Sequence, residues 1–437
     1  MINDKKVIRA WSMYDWANSV YSLVITSSIF PVYYESVTRT KGSDLVSFLG
    51  FELINTVLYS YALSFSFLVV AAILPLLTGI ADYGGKRMLF MKIFVYLGSF
   101  SCMGLFLFDG TNIEYGIFLA ILASISFSGS LVFYNSYLPQ IVSVDRLDAV
   151  SARGFSYGYV GSVILLVINL AMIQKPDLFG LPQDSTPAKL SFVMVGLWWL
   201  GFSQITFKSM PSDSSSNQIK PNMLLNGYKE IRKVWLSLKE MPVARTYLIA
   251  FFFYNTGVQT VMYMAAQFGS KVLKLEGGEL ILTILIINVV AVAGSYLFAK
   301  LSLFRGNKFS LSSMLIIWVF ICIAAFLVTT KIQFFALAFV VGLVMGGIQA
   351  LSRATYSKLI PEETTDYASF FSFYDVTYNV SIVIGTFSYG FIEYLTGSMR
   401  NSSLALGAFF VIGLVILLTL KLPVSAQGLK PIRTEDA

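Results

Sequence analysis

Apolar residues run in stretches of about twenty along almost the whole chain, at residues 9–34, 56–80, 88–108, 113–138, 153–174, 189–209, 244–269, 278–300, 309–329, 333–358, 368–394 and 400–422, with short polar turns between them. A hydrocarbon core of ~30 Å takes about 20 predominantly apolar residues in a helix. The pattern therefore predicts an all-α membrane protein with twelve transmembrane helices. The first and seventh runs are the most interrupted: one carries Asp15 and Asn18, the other Asn255, Gln259 and Gln267.

The longest polar interval, Pro211 to Pro242, opens with the run Ser212 to Gln218 and divides the helices six plus six. The predicted organisation is an N-terminal six-helix bundle over 1–210, a linker over 211–243, a C-terminal six-helix bundle over 244–423 and a cytoplasmic tail over 424–437. In the linker, Leu224, Tyr228, Ile231, Trp235 and Leu238 recur at steps of four and three, while Lys229, Glu230, Arg232, Lys233, Lys239 and Glu240 take the other face. This predicts an amphipathic helix resting on the inner leaflet. The two halves are weakly alike: Tyr14-Asp15 has a counterpart in Tyr254-Asn255, Leu138-Pro139 in Ile360-Pro361, and Phe155-Ser156 in Phe371-Ser372. A constant six-helix offset argues for duplication and for two pseudo-symmetric bundles that rock about a central site.

Composition agrees, with 56% hydrophobic and 13% charged residues and a mean hydropathy of +0.72. The net charge of +7 does not signal nucleic acid, because no soluble basic module exists to carry it. With the N-terminus inside, inner segments hold 23 of the 31 Lys and Arg and outer segments hold 8. That bias predicts both termini in the cytoplasm. Cys102 and Cys322 lie in apolar runs and predict neither a disulfide nor a metal site. No cofactor is expected. The N-terminal MINDKKVIRAW lacks an h-region followed by a cleavage site, so the first helix is expected to be its own insertion signal.

Between the second and third runs stands TGIADYGGKRMLF, residues 78–90. Glycines suit a tight turn here, and Asp82 is placed to accept backbone N–H groups at a helix start or to pair with a cation. Lys86 and Arg87 add positive charge. This segment resembles the signature loop of the major facilitator superfamily, although Thr78 and Tyr83 depart from its usual glycine and basic residue. After the eighth helix, Ala299-Lys300 and Gly306-Asn307-Lys308 are similar to a degenerate second copy. Four further segments, YDWANS at 14–19, FYNSYLP at 133–139, ARGF at 152–155 and QALSR at 349–353, resemble the vacuole-effluxer branch of that superfamily, which includes autophagy-related amino-acid exporters and bacterial relatives. Residues 254–260 are similar too, with Thr256 where an acid is expected. The resemblance implies the major facilitator fold and efflux of small solutes, amino acids being the best-known class.

Ionisable groups deep in a membrane cost about 2.5–3.5 kcal/mol on insertion scales and so call for a reason. Asp15 lies roughly 9 Å beyond Arg9, and Asp375 roughly 14 Å beyond Asp366, at the helical rise. Polar stripes accompany them: Asp15, Asn18, Ser22 and Thr26 on helix 1; Ser372, Asp375, Asn379 and Thr386 on helix 11. Helix 7 offers Asn255, Gln259, Tyr263 and Gln267, and helix 10 offers Gly346, Gln349, Arg353 and Tyr356. Asn135 belongs to the segment ending helix 4.

These are the candidates for binding solute or moving a proton, with Arg353 the cation available to either acid. For Asp15 the alternative is a cap or interhelical hydrogen bond; for Asp375 it is a static pair with Arg353; for the uncharged polar residues it is helix joining. Asp82, Lys86, Arg87 and Arg153, with Asp145 and Asp148, are expected in a cytoplasmic gate. Gly154/Gly158 and Gly342/Gly346 are expected as close-packing faces.

The leading expectation is a secondary active transporter in the bacterial inner membrane, a monomer among lipids. It would export amino acids or similar small solutes by alternating access, with proton coupling as an option. A multidrug or metabolite exporter, or a non-transporting sensor on the same fold, stays open. An enzyme is not expected, for want of histidine, a cysteine cluster or a nucleophile elbow. An ATP-driven pump is excluded because Gly84-Gly85-Lys86-Arg87 lacks Walker spacing.

Overall fold

The computed structural model describes residues 2–39, 43–211 and 223–422, without the side chains of 223–226. The run Ser212 to Gln218, the side chain of Leu224 and the tail 424–437 lie outside the described residues. The chain is almost wholly helical. Asp4 caps α1 (Lys5–Val20) by accepting from the N–H groups of Lys6 and Val7. The helix loosens into a π-turn over Tyr21–Thr26 and resumes as α2 (Ile29–Thr38). The break falls at Ser27 and Ser28, so the first span is two helices rather than one. A short antiparallel hairpin, β1 (Leu45–Phe48) and β2 (Phe51–Ile54), then leads to α3 (Asn55–Gly84).

The N-terminal half continues through α4 (Arg87–Gly104), α5 (Ile113–Ile141), α6 (Leu147–Gln174) and α7 (Thr186–Ser209). After α8 (Met223–Glu240), the second half comprises α9 (Pro242–Leu273), α10 (Gly277–Leu327), α11 (Lys331–Leu359), α12 (Tyr367–Thr396) and α13 (Met399–Thr419). The 51 residues of α10 are two spans, hinged where Gly306 adopts φ 82° and ψ 161°, a conformation that needs glycine. Twelve spans result.

Eight of the described helices, α10 among them, are long and apolar enough to cross a membrane. The spans that fall short are α1/α2, α9 and α12, which carry the polar stripes around Asp15, Asn255 and Asp375. Their polarity is tolerable only where they turn from lipid toward an internal surface.

Small residues set the tightest seams. Gly342 and Gly346 of α11 lie against the carbonyls of Ile287 and Ala291 of α10, and Gly294 returns the contact onto Leu343. A Cβ there would strike backbone, so these glycines let two helices approach closely, as the small-xxx-small spacing predicts. Gly158 does the same for α6 against Ser19 of α1.

The linker helix departs from expectation. α8 buries Gly227, Val234 and Leu238 against protein, with Gly227 packed on Gly79 and Ile80 of α3. On its other side, Lys233 Nζ lies 2.6 Å from Asp366 Oδ2, and the Trp235 ring packs, tilted, 5.7 Å from that of Phe373 of α12. The helix thus bridges the halves instead of resting only on a leaflet. Tyr228 and Trp235 stay largely exposed because the docked stripe is rotated toward Gly227 and Val234, sharing Ile231 and Leu238 with the predicted apolar face.

Candidate functional site

A cavity of about 470 Å³ lies between the halves. Exposed Val32, Glu35, Thr56, Ser60 and Gln267 form its mouth, and Asp15, Arg353 and Asp375 lie at its buried end. Beyond the floor the halves are in contact, with Ser369 bonded to Asp82 and Lys358 and Asn307 bonded to Asp148. The cavity is therefore open at one end and sealed at the other.

At the floor, Arg353 reaches from α11 into the other half. Its Nη2 lies 3.2 Å from Asp15 Oδ2 and 3.0 Å from the Ser151 carbonyl; Nε donates to Ser151 Oγ at 3.0 Å and Nη1 to Asn135 Oδ1 at 3.3 Å. Tyr134 donates its hydroxyl to the same Asp15 oxygen at 2.7 Å. Aromatic rings pack over the guanidinium, Phe155 with its centroid at 4.2 Å and Trp11 at 4.8 Å. A buried charge survives only when paired and hydrogen-bonded, and here four of the five guanidinium N–H groups are used. Room for this cluster comes from Gly154, whose missing Cβ would occupy the space of the Asp15 carboxylate and the Trp11 ring.

Asp375 differs. It lines the cavity at 6% exposure, its carboxyl Oδ2 has no hydrogen-bond partner, and Arg353 is spent on Asp15. The alternative of a static Asp375 pair with Arg353 is corrected: the arginine points to α1, where Asp15 sits on the helix facing it.

Most other candidates reach the cavity. Asn18 and Ser22 line it from the first span, Asn255, Gln259 and Tyr263 from α9, and Gln349 from α11. Some already have partners: Asn255 donates to Ser381 at 2.6 Å, Gln259 to Asn255 at 3.2 Å, and Tyr159 to Gln349 at 2.8 Å. The Nδ2 of Asn18 has none. Asn379 is buried off the cavity wall, donating to the Asp375 carbonyl.

At the sealed end, Asp82 accepts from the backbone N–H groups of Ser369 at 2.7 Å and Ala368 at 3.4 Å, the first turn of α12, with Arg87 at 3.8 Å. A carboxylate at a helix N-terminus is electrostatically favoured. Lys86 stands half-buried before α4. Arg153 does not cross between the halves; it donates to Tyr157 one turn along its own helix, because α6 begins at Leu147 and places Arg153 within its second turn. Besides Asp82, Asp148 makes the crossing, accepting from Lys358 at 2.7 Å, Asn307 at 2.9 Å and Ser302 at 2.9 Å. Lys358 and Ser302 escape the sequence, and Asn307 and Tyr134 stand in it only as parts of motifs without partners, since nothing in a single chain pairs positions as far as 210 apart.

Comparison with known proteins agrees with this geometry. Residues 3–148 and 143–428 match the family described as Vacuole effluxer Atg22 like. The MFS-type transporter YxiO of Bacillus subtilis (strain 168) is 30% identical, over 93% of each chain. Autophagy-related protein 22-1 of Penicillium rubens is 23% identical, over 95% of this chain and 89% of its own. Among solved structures, the major facilitator transporter FucP in the outward conformation superposes with a TM-score of 0.69 at 12% identity, covering 96% of this chain and 98% of its own. The proton:xylose symporter XylE also gives 0.69, at 10% identity and 94% of each chain. At such identities the last two speak for the fold.

Proposed function

The chain belongs to the Atg22-like vacuole effluxer family of major facilitator transporters, and we propose that it exports amino acids or similar small solutes across a bacterial cytoplasmic membrane by alternating access. The observation that carries this reading is the buried Asp15–Arg353 pair, which ties one half to the other at the floor of a cavity open at a single end. Such a pair is a joint that the opposite conformation must break or reorganise. Its partners are hydrogen bonds and ring faces that can be exchanged for solute or water.

Both termini are cytoplasmic in this proposal, supported by the 23 basic residues of the inner segments. The sealed end then faces the cytoplasm and the cavity faces outward, the form that releases exported solute. Proton coupling runs through Asp15 or Asp375. Each is a carboxyl at the floor of a cavity that water can enter, and no histidine exists to share the task. A broader substrate range, extending to greasy metabolites or drugs, draws support from the Phe127, Phe155, Phe251, Met262 and Met345 side chains along the same wall.

The test is efflux from proteoliposomes loaded with amino acids, with and without a pH gradient. Solute movement accelerated by an inward proton gradient, and slowed in Asp15→Asn or Asp375→Asn, is expected. Absence of flux for every solute overturns the carrier reading, and pH-driven flux untouched by both substitutions overturns the coupling.

A further inference from the structure

The charges that line the cavity are unequal. Asp15, Glu35 and Asp375 contribute three carboxyl groups, and Arg353 is the one basic residue among the described lining residues. That arginine is committed: four of its N–H groups are bonded, its faces are covered by Trp11 and Phe155, and its side chain is 3% exposed. An anionic group on a solute therefore meets no free cation. A cationic group meets Asp375, whose Oδ2 is unpartnered and whose side chain is more than nine-tenths buried at the wall. Tyr374 and Tyr378 flank it on α12, and Tyr254 and Phe251 of α9 also line the wall, with Phe251 stacked on Tyr374 at 4.3 Å. Aromatic faces beside a carboxylate suit an ammonium, which gains both a charge-assisted hydrogen bond and attraction to the ring quadrupoles. Glu35 at the mouth adds a field that draws cations inward.

We infer that Asp375 is the subsite for a protonated amine, and that the cavity recognises solutes by that amine while leaving a carboxylate without a charged partner. The inference rests on the carrier reading above and narrows it. The amino group is the required feature, and an organic amine lacking a carboxylate is bound at least as well as the amino acid.

The experiment uses the full chain in lipid nanodiscs and three probes of one skeleton: L-phenylalanine, 2-phenylethylamine and 3-phenylpropanoate, titrated by calorimetry. The amine is expected to bind at least as tightly as the amino acid and at least tenfold tighter than the acid. Asp375→Asn should weaken amine binding at least tenfold with an unchanged melting temperature, and Asp375→Glu should restore much of it. Should Asp375→Asn fail to fold, Tyr378→Phe and Tyr378→Ala are compared in its place: loss of the ring, but not of the hydroxyl, should weaken the amine selectively. Equal binding of acid and amine, amine binding unaffected by both sets of substitutions, or no binding across primary amines from ethanolamine to spermine overturns the inference. Binding of the amine without flux would instead sink the carrier reading, and transport of an anionic solute would keep that reading and sink this one.

Discussion

Lys358 Nζ lies 2.7 Å from Asp148 Oδ2 at the sealed end, and neither side chain is more than 1% exposed. The pair joins α11 of one half to α6 of the other, with Asn307 bonded to both residues and to Thr355. It is the most completely buried of the ion pairs between the halves described here, and it stands where the two bundles must separate for the cavity to open the other way.

Removing one member strands a buried charge, so Lys358→Met should destabilise the closed arrangement by about 3–5 kcal/mol. Asp148→Asn with Lys358→Met should cost much less than the single change, because the stranded charge is gone. Labelling of a cysteine introduced at the sealed end would report it: fast in the single variant, slow in the double.

Arg353→Lys keeps the charge but loses the fork that serves Ser151, Asn135 and Asp15 together. Solute efflux should fall at least tenfold. Efflux rates from proteoliposomes check this, with melting temperature recorded to separate misfolding from loss of function.

Gly154→Ala places a methyl group into the Asp15 carboxylate, the Trp11 ring and the Arg353 guanidinium. Overpacking should cost about 1–3 kcal/mol and depress transport. Gly201→Ala, on the exposed face of α7 with open space around its Cβ, should leave both near wild type. Paired thermal melts and flux assays distinguish the two sites.

Lys233→Ala should loosen α8 from α12 by less than about 1 kcal/mol, since Lys233 is 60% exposed and solvent screens the pair. The Asp366 hydrogen bond holds the Lys233 ammonium above the ordinary lysine value of 10.5. A raised basic group stabilises the fold fully below its ordinary value and loses that contribution as pH rises through the raised one. The difference between wild type and variant should therefore persist through neutral pH and vanish only in strong alkali, or in high salt. Melts across pH 7–12 test this.

Much of the architecture is legible in one dimension because a bilayer constrains it so strongly: about 20 apolar residues per span, internally bonded backbone, and basic residues biased to one side. The interruptions were legible for the same reason. Asp15, Asn18, Asn255, Gln259 and Asp375 stand out against lipid-compatible neighbours, and all of them line the cavity. Periodicity placed the face but not the partner. Asn379 shares the Asp375 stripe but is buried off the cavity wall, and Arg153 bonds within its own helix.

What the chain alone determined is the class of molecule, its twelve spans, its halves and the short roster of polar residues worth explaining, since each follows from local composition and spacing. The tertiary structure decided that Arg353 binds Asp15 across 338 positions and leaves Asp375 unpartnered, and that Lys358 rather than Arg153 closes the far end. Those are choices among partners, set by how the two bundles dock, and docking depends on contacts that no single helix carries in its own sequence.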